Sequence, residues 1–152
     1  MRRLAEELPQ ACNVVIYGTP GTGKDFLLAS LLYAATDAGL RCEWHRGADL
    51  FAAFRRHQRR SEEGLSPRSL FHVPVLAVSD PILPGADPEP WLLNDFFAVV
   101  DHRYRNGRPV WVTANADSED ELASKLTWQI WDRLRDGAVI LPCFWPSHRG
   151  NF

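Results

Sequence analysis

The sequence predicts an α/β fold, with a mostly parallel five-stranded sheet sandwiched between helices in a three-layer α-β-α arrangement. Three observations carry that expectation. Apolar runs of strand length alternate with stretches of helical periodicity from residue 13 to residue 145. The first run closes on the glycine-rich stretch GTPGTGKD (18–25), which leads straight into a helical pattern. Polar residues with chemical potential stand where the apolar runs end, and open parallel sheets bind their ligands at the carboxyl ends of their strands.

The elements follow in order. NVVIYG (13–18) is a short apolar run ending in glycine, a buried strand. KDFLLASLLYAATDA (24–38) is a helix, with Gly39 as its stop. RCEWHR (41–46) alternates as a second strand, and ADLFAAFRRHQRR (48–60) is an amphipathic helix running into a polar loop. VPVLAVSD (73–80) is a third strand ending in Asp80. A Pro-rich loop (81–90) precedes a helix from Trp91 to Arg105. RPVWVTAN (108–115) is the fourth strand, 118–135 one long helix, and AVILPCFW (138–145) the last strand.

Composition narrows the class. With 152 residues, 45% hydrophobic and 24% charged, the chain suits one soluble domain spanning 1–152. No apolar run approaches the roughly 20 residues of a membrane span, so no membrane partner is expected. MRRLAEELPQ has no apolar stretch behind its arginines and is not a signal peptide. Cys12, Cys42 and Cys143 fit no zinc or redox spacing, which suggests reduced structural thiols and a cytoplasmic location. A net charge of −2 gives no global sign of nucleic-acid binding. Of 17 basic residues only Lys24 and Lys125 are lysines, and one of them sits in the glycine-rich stretch.

That stretch is a phosphate-binding loop in all but one position. Gly18, Thr19, Pro20, Gly21, Thr22, Gly23 and Lys24 fit G-x-x-x-x-G-K, whose backbone amides cradle the β-phosphate while the lysine reaches the β- and γ-phosphates. ATP with Mg2+ is therefore the expected ligand. A serine or threonine hydroxyl normally follows the lysine and meets the metal. Asp25 stands there instead. An aspartate in the first turn of a helix is also favoured by the helix dipole alone, by about 0.3–1 kcal/mol.

Taken with the loop, three further stretches resemble the AAA+ P-loop ATPases of the bacterial helicase-loader group, the DnaC/IstB type. These are the third strand, DHRYRNGRPVWVTAN (101–115) and the closing LTWQIWDRLRDGAVILPCFWPSHR (126–149). The resemblance spans Asn13 to Arg149, and the closing stretch is its most selective part. It implies that Lys24 is the Walker A lysine and that Asn115 is the sensor that orients a water toward the γ-phosphate. It further implies that Arg133 is an arginine finger serving a neighbouring subunit and Arg149 a second sensor. Read without the family, Asn115 caps the next segment and Arg133 is an exposed helix arginine.

Two departures from the family stand out. Its acidic pair closing the third strand reads Ser79–Asp80 here, so serine replaces the metal-holding carboxylate while Asp80 keeps the place of the catalytic acid. Asp25 and Ser79 together present one carboxylate and one hydroxyl, the usual charge with the two positions exchanged. They are thus the expected metal ligands, unless both changes are losses in a decaying ATPase. The second departure is that about a dozen residues precede the first strand, so no separate N-terminal partner-binding domain is expected.

Arg55, Arg56, Arg59 and Arg60, with Phe51 and Phe54 a turn away, suggest a groove for single-stranded DNA. A solvated helix face partnered by Glu62 and Glu63 is the competing account. The expected function is an ATP-binding, helicase-loader-like protein that forms a nucleotide-dependent homo-oligomer on single-stranded DNA. Its partner would be a replicative helicase or another DNA-processing protein. A non-hydrolysing nucleotide-binding scaffold or transposition accessory module is the alternative. A small P-loop kinase is disfavoured, because no arginine-rich lid region is evident.

Overall fold

The computed structural model describes residues 12–60, 62–81 and 90–148. Its elements are β1 (Val14–Gly18), α1 (Lys24–Asp37), β2 (Cys42–Arg46), α2 (Gly47–Gln58) and a 3-10 turn (Pro67–Leu70). Then come β3 (Val75–Ser79), α3 (Pro90–Arg105), β4 (Val110–Asn115), α4 (Glu119–Leu126), α5 (Trp128–Arg135) and β5 (Val139–Cys143). The strands lie in the order β2-β3-β4-β1-β5, and every neighbouring pair is parallel. Of the Pro-rich connection, 82–89 lies outside the described residues.

The period of two sorts each strand's side chains onto two faces. Val14, Ile16, Val75, Ala77, Trp111 and Cys143 meet Leu28, Leu31, Leu32 and Ala35 of α1 on one face. Val15, Leu76, Val78, Val112 and Ala114 meet the helices of the other face, through residues such as Phe51, Phe96, Leu122 and Trp131. Each fully buried side chain of this size contributes about 1.5–3 kcal/mol, which makes these two layers the main source of stability. Asn13 ties the layers together at the start of β1: its Nδ2 donates to the Arg133 and Leu134 carbonyls, and its Oδ1 accepts from the Val110 amide.

One expected element is corrected. The single helix over 118–135 is two helices, broken at Thr127 with φ 75° and ψ 146°. The apolar positions Leu122, Leu126, Ile130 and Leu134 keep one four-residue spacing across the break, and neither glycine nor proline marks it. The sequence therefore carries no local signal of the kink.

The end of the sheet away from the glycine loop is held by Arg103, which is wholly buried. Its Nη1 donates to the carbonyls of Leu70 and Val73, and its Nη2 to those of Pro74 and Pro109. Burial first, then the Arg108 charge, push its pKa down to about 10, and it stays a cation at neutral pH. A planar guanidinium can gather four carbonyls from two chain segments, which an ammonium cannot.

Candidate nucleotide site

The site is built where β1 turns into α1. Gly18 has no room for a side chain, since a Cβ there would run into the Cys143 carbonyl of β5. Gly23 takes φ 81° at the head of α1, a left-handed conformation that turns the loop into the helix without steric penalty. Thr22 Oγ1 closes the turn by donating to the Thr19 carbonyl at 2.9 Å. The Lys24 side chain is buried, and its Nζ donates to the carbonyls of Thr19 at 2.7 Å and Gly18 at 3.2 Å. A buried ammonium inside a curl of backbone, with a helix N-terminus beside it, is a cradle suited to phosphate. Lys24 also acts on its surroundings: burial pushes the Cys143 thiol up, and the Lys24 charge opposes that rise. Cys143 is thus a thiol at neutral pH, as its structural reading requires.

The tail leans on the loop. Trp145 Nε1 donates to the Thr22 carbonyl at 2.8 Å and the His148 amide to the Gly21 carbonyl at 2.9 Å. Neither contact is legible in the sequence, because both join residues more than a hundred positions apart. Arg149, the expected second sensor, lies outside the described residues.

The expected metal ligands, Asp25 and Ser79, come from α1 and β3, beside β4. Period-two alternation puts Ser79 and Thr113 on the α1 face, directly opposite each other in the parallel register. Asp25 lies in the first turn of α1, and its Oδ1 accepts from Thr113 Oγ1 at 2.8 Å. Ser79 is buried, and its Oγ accepts from Trp44 Nε1 at 3.2 Å. Sequence reasoning missed Thr113 and Trp44. The alternation alone would have found Thr113, two residues before Asn115 on the same face. Among the described residues no three His, Cys, Asp or Glu side chains converge as metal ligands. A cation here would take one carboxylate, hydroxyls, phosphate oxygens and water, and that donor set fits magnesium.

Asp80 follows Ser79 at φ 48°, its amide donating to the Thr113 carbonyl. Its Oδ1 accepts from Asn115 Nδ2 at 3.1 Å, so the structure brings together the two residues expected to handle water. Arg133 is placed elsewhere, on α5. Its Nε donates to Asp101 at 3.1 Å, its Nη1 to Asp132 at 3.0 Å, and its guanidinium lies over the Tyr104 ring. Tyr104 donates in turn to Asp136, and that bond and charge raise its pKa.

On α2 the arginines and the aromatics part company. Arg56, Arg59 and Arg60 are exposed and Arg55 half-buried, while Phe51 and Phe54 are completely buried in the core. The expectation that these two aromatics stack on bases is corrected: their spacing is that of a core face. Arg56 Nε donates to the backbone carbonyl of Glu63 at 3.4 Å. A cavity of about 560 Å³ lined by Tyr104, Glu119, Asp132, Arg135 and Asp136 includes no loop residue, and its carboxylates make it unsuited to phosphate.

An all-parallel sheet whose first strand ends in a glycine loop, with a lysine heading the next helix, is the arrangement of a P-loop nucleotide-binding core. The sequence profile of the IstB-like ATP binding protein family matches residues 6–149, and the chain belongs to that family. No curated protein matches the sequence. Among solved structures, the DnaC helicase loader superposes with a TM-score of 0.81 at 18% identity, covering 93% of this chain and 85% of that one. DnaI gives 0.75 at 22%, with 97% and 79% covered. The replication initiator DnaA bound to AMPPCP and single-stranded DNA gives 0.76 at 18%, with 95% of this chain but 44% of that one covered. At such identities the likeness speaks for the fold. Among the described residues no helix is long and apolar enough to cross a membrane.

Proposed function

We propose that this protein is an ATP-driven, helicase-loader-like AAA+ subunit that assembles head to tail on single-stranded DNA and remodels a protein partner. The observation that carries the reading is the juxtaposition, at one end of the sheet, of a phosphate cradle around Lys24 and the Asp80–Asn115 pair. The loop amides and Lys24 hold the β- and γ-phosphates. Asp25 and Ser79 supply the protein oxygens for magnesium, which when bound draws charge from the phosphate oxygens. Asn115 orients a water, and Asp80 takes its proton as the water oxygen bonds the γ-phosphorus and the bridge to ADP breaks. Arg133 of a neighbouring subunit stabilises the charge that develops, and Arg149 contributes from the tail. Arg55, Arg56, Arg59 and Arg60 meet DNA phosphates, without stacking from Phe51 or Phe54. Family membership supports the ATP, and the fold shared with the DnaC loader and the DNA-bound initiator supports the loader role.

A second reading, a non-hydrolysing nucleotide-binding scaffold, is favoured by one observation: Arg133 is tied to Asp101 and Asp132 of its own chain. ATP turnover with and without single-stranded DNA, at several protein concentrations, separates the two. Stimulation by DNA and by concentration is expected of the loader. Tight ATP binding with no turnover under any condition leaves the scaffold.

A further inference from the structure

We infer that Thr113 is a positioning residue for the metal side of this site: its hydroxyl holds the Asp25 carboxylate in the orientation that meets a nucleotide-bound divalent cation. The inference rests on the nucleotide reading and gives a role to Thr113 of the fourth strand, to which that reading assigned none.

Asp25 sits at the exposed head of α1, where an unrestrained carboxylate samples several rotamers. Thr113 is completely buried in the middle of the sheet, and β-branching leaves its side chain little rotational freedom. Its Oγ1 lies 2.8 Å from Asp25 Oδ1, a charge-assisted bond from a fixed donor to a mobile acceptor. A carboxylate offers about four lone-pair sites on two oxygens, so one bond from Thr113 leaves it able to bind a cation.

The neighbouring hydroxyl is engaged differently. Ser79 lies opposite Thr113 in the register, yet its Oγ takes the indole proton of Trp44. Across the α1 face of β2, β3 and β4 the donors therefore run Trp44 to Ser79 and Thr113 to Asp25. Moving the carboxylate from the strand to the loop places it on a helix end, where it needs an anchor from the sheet. Thr113 is that anchor.

The test is ATP binding by calorimetry, in magnesium and in EDTA, for the wild type, Thr113→Val, Thr113→Ser, Asp25→Asn and the Thr113→Val/Asp25→Asn double variant. Valine keeps the shape and removes the hydroxyl. Magnesium should tighten ATP binding by the wild type. Thr113→Val should lose about tenfold of that gain, the scale of a hydrogen bond to a charged group, with affinity in EDTA unchanged. Thr113→Ser should restore the gain. In the Asp25→Asn background Thr113→Val should add no further loss, because the two act as one unit. Equal losses in magnesium and EDTA, a full magnesium gain in Thr113→Val, or no rescue by serine would each overturn the positioning role and leave the nucleotide reading standing. A wild type that binds ATP without any effect of magnesium does the same. Wild-type protein that binds no ATP removes both.

Discussion

At the scale of single residues, the loop and the far end of the sheet make separable demands. Lys24 is a buried cation satisfied by two loop carbonyls. Lys24→Ala should therefore weaken ATP binding at least about tenfold, or 1.4 kcal/mol, as read by calorimetry; equal affinities would remove the loop from the site. Arg103 is a buried cation of another kind, with four carbonyl partners and no place in the nucleotide site. Arg103→Met removes a donor from each of those carbonyls and should cost about 3 kcal/mol or more in urea unfolding, while any folded fraction binds ATP normally. Restoring the usual loop residue tests the exchanged pair. Asp25→Thr alone removes the carboxylate at the head of α1, and Ser79→Asp alone adds a second one. The double variant should recover magnesium-dependent ATP binding better than either single change. If the single changes each improve binding and add, the positions are uncoupled.

At the scale of elements, the strands and most helices were legible because burial imposes a period. Five apolar runs gave five strands, each trimmed by one to three residues. The loop was legible because Lys24 beside Gly23 has no purpose in a plain turn. The break at Thr127 was not, since a helical spacing continues through it. Nor was the tail's seat on the loop, which depends on how β5 docks beside β1. Phe51 and Phe54 show the opposite error, a core face read as a binding face because arginines adjoin it. The break itself is testable. A β-branched residue at φ 75° is strained, and Thr127→Gly should stabilise the fold by about 1 kcal/mol, seen as a raised urea midpoint at constant slope. No gain would mean that contacts of the threonine side chain offset the strain.

At the scale of the whole molecule, the question is whether one subunit suffices. Arg133 lies on α5, bonded to Asp101 of α3 and Asp132, so service to a neighbour requires it to leave two carboxylates. A heterologous contact that achieves this repeats head to tail and builds rings or filaments. ATP turnover should then rise faster than linearly with protein concentration, and Arg133→Ala should lower it by about 10³-fold with monomer ATP affinity nearly unchanged. Concentration-independent turnover equal in both proteins would assign Arg133 to its internal ion pairs alone. The seating of the tail on the loop has a consequence of another sort, in the timing of biosynthesis. A ribosome makes β1 and the glycine loop well before β5, yet Thr22 and Gly21 receive their partners from Trp145 and His148. The neighbours of β1, β4 and β5, are also late products. A nascent chain therefore carries the whole phosphate motif long before β4, β5 and the partners of Thr22 and Gly21 exist to finish the pocket around it.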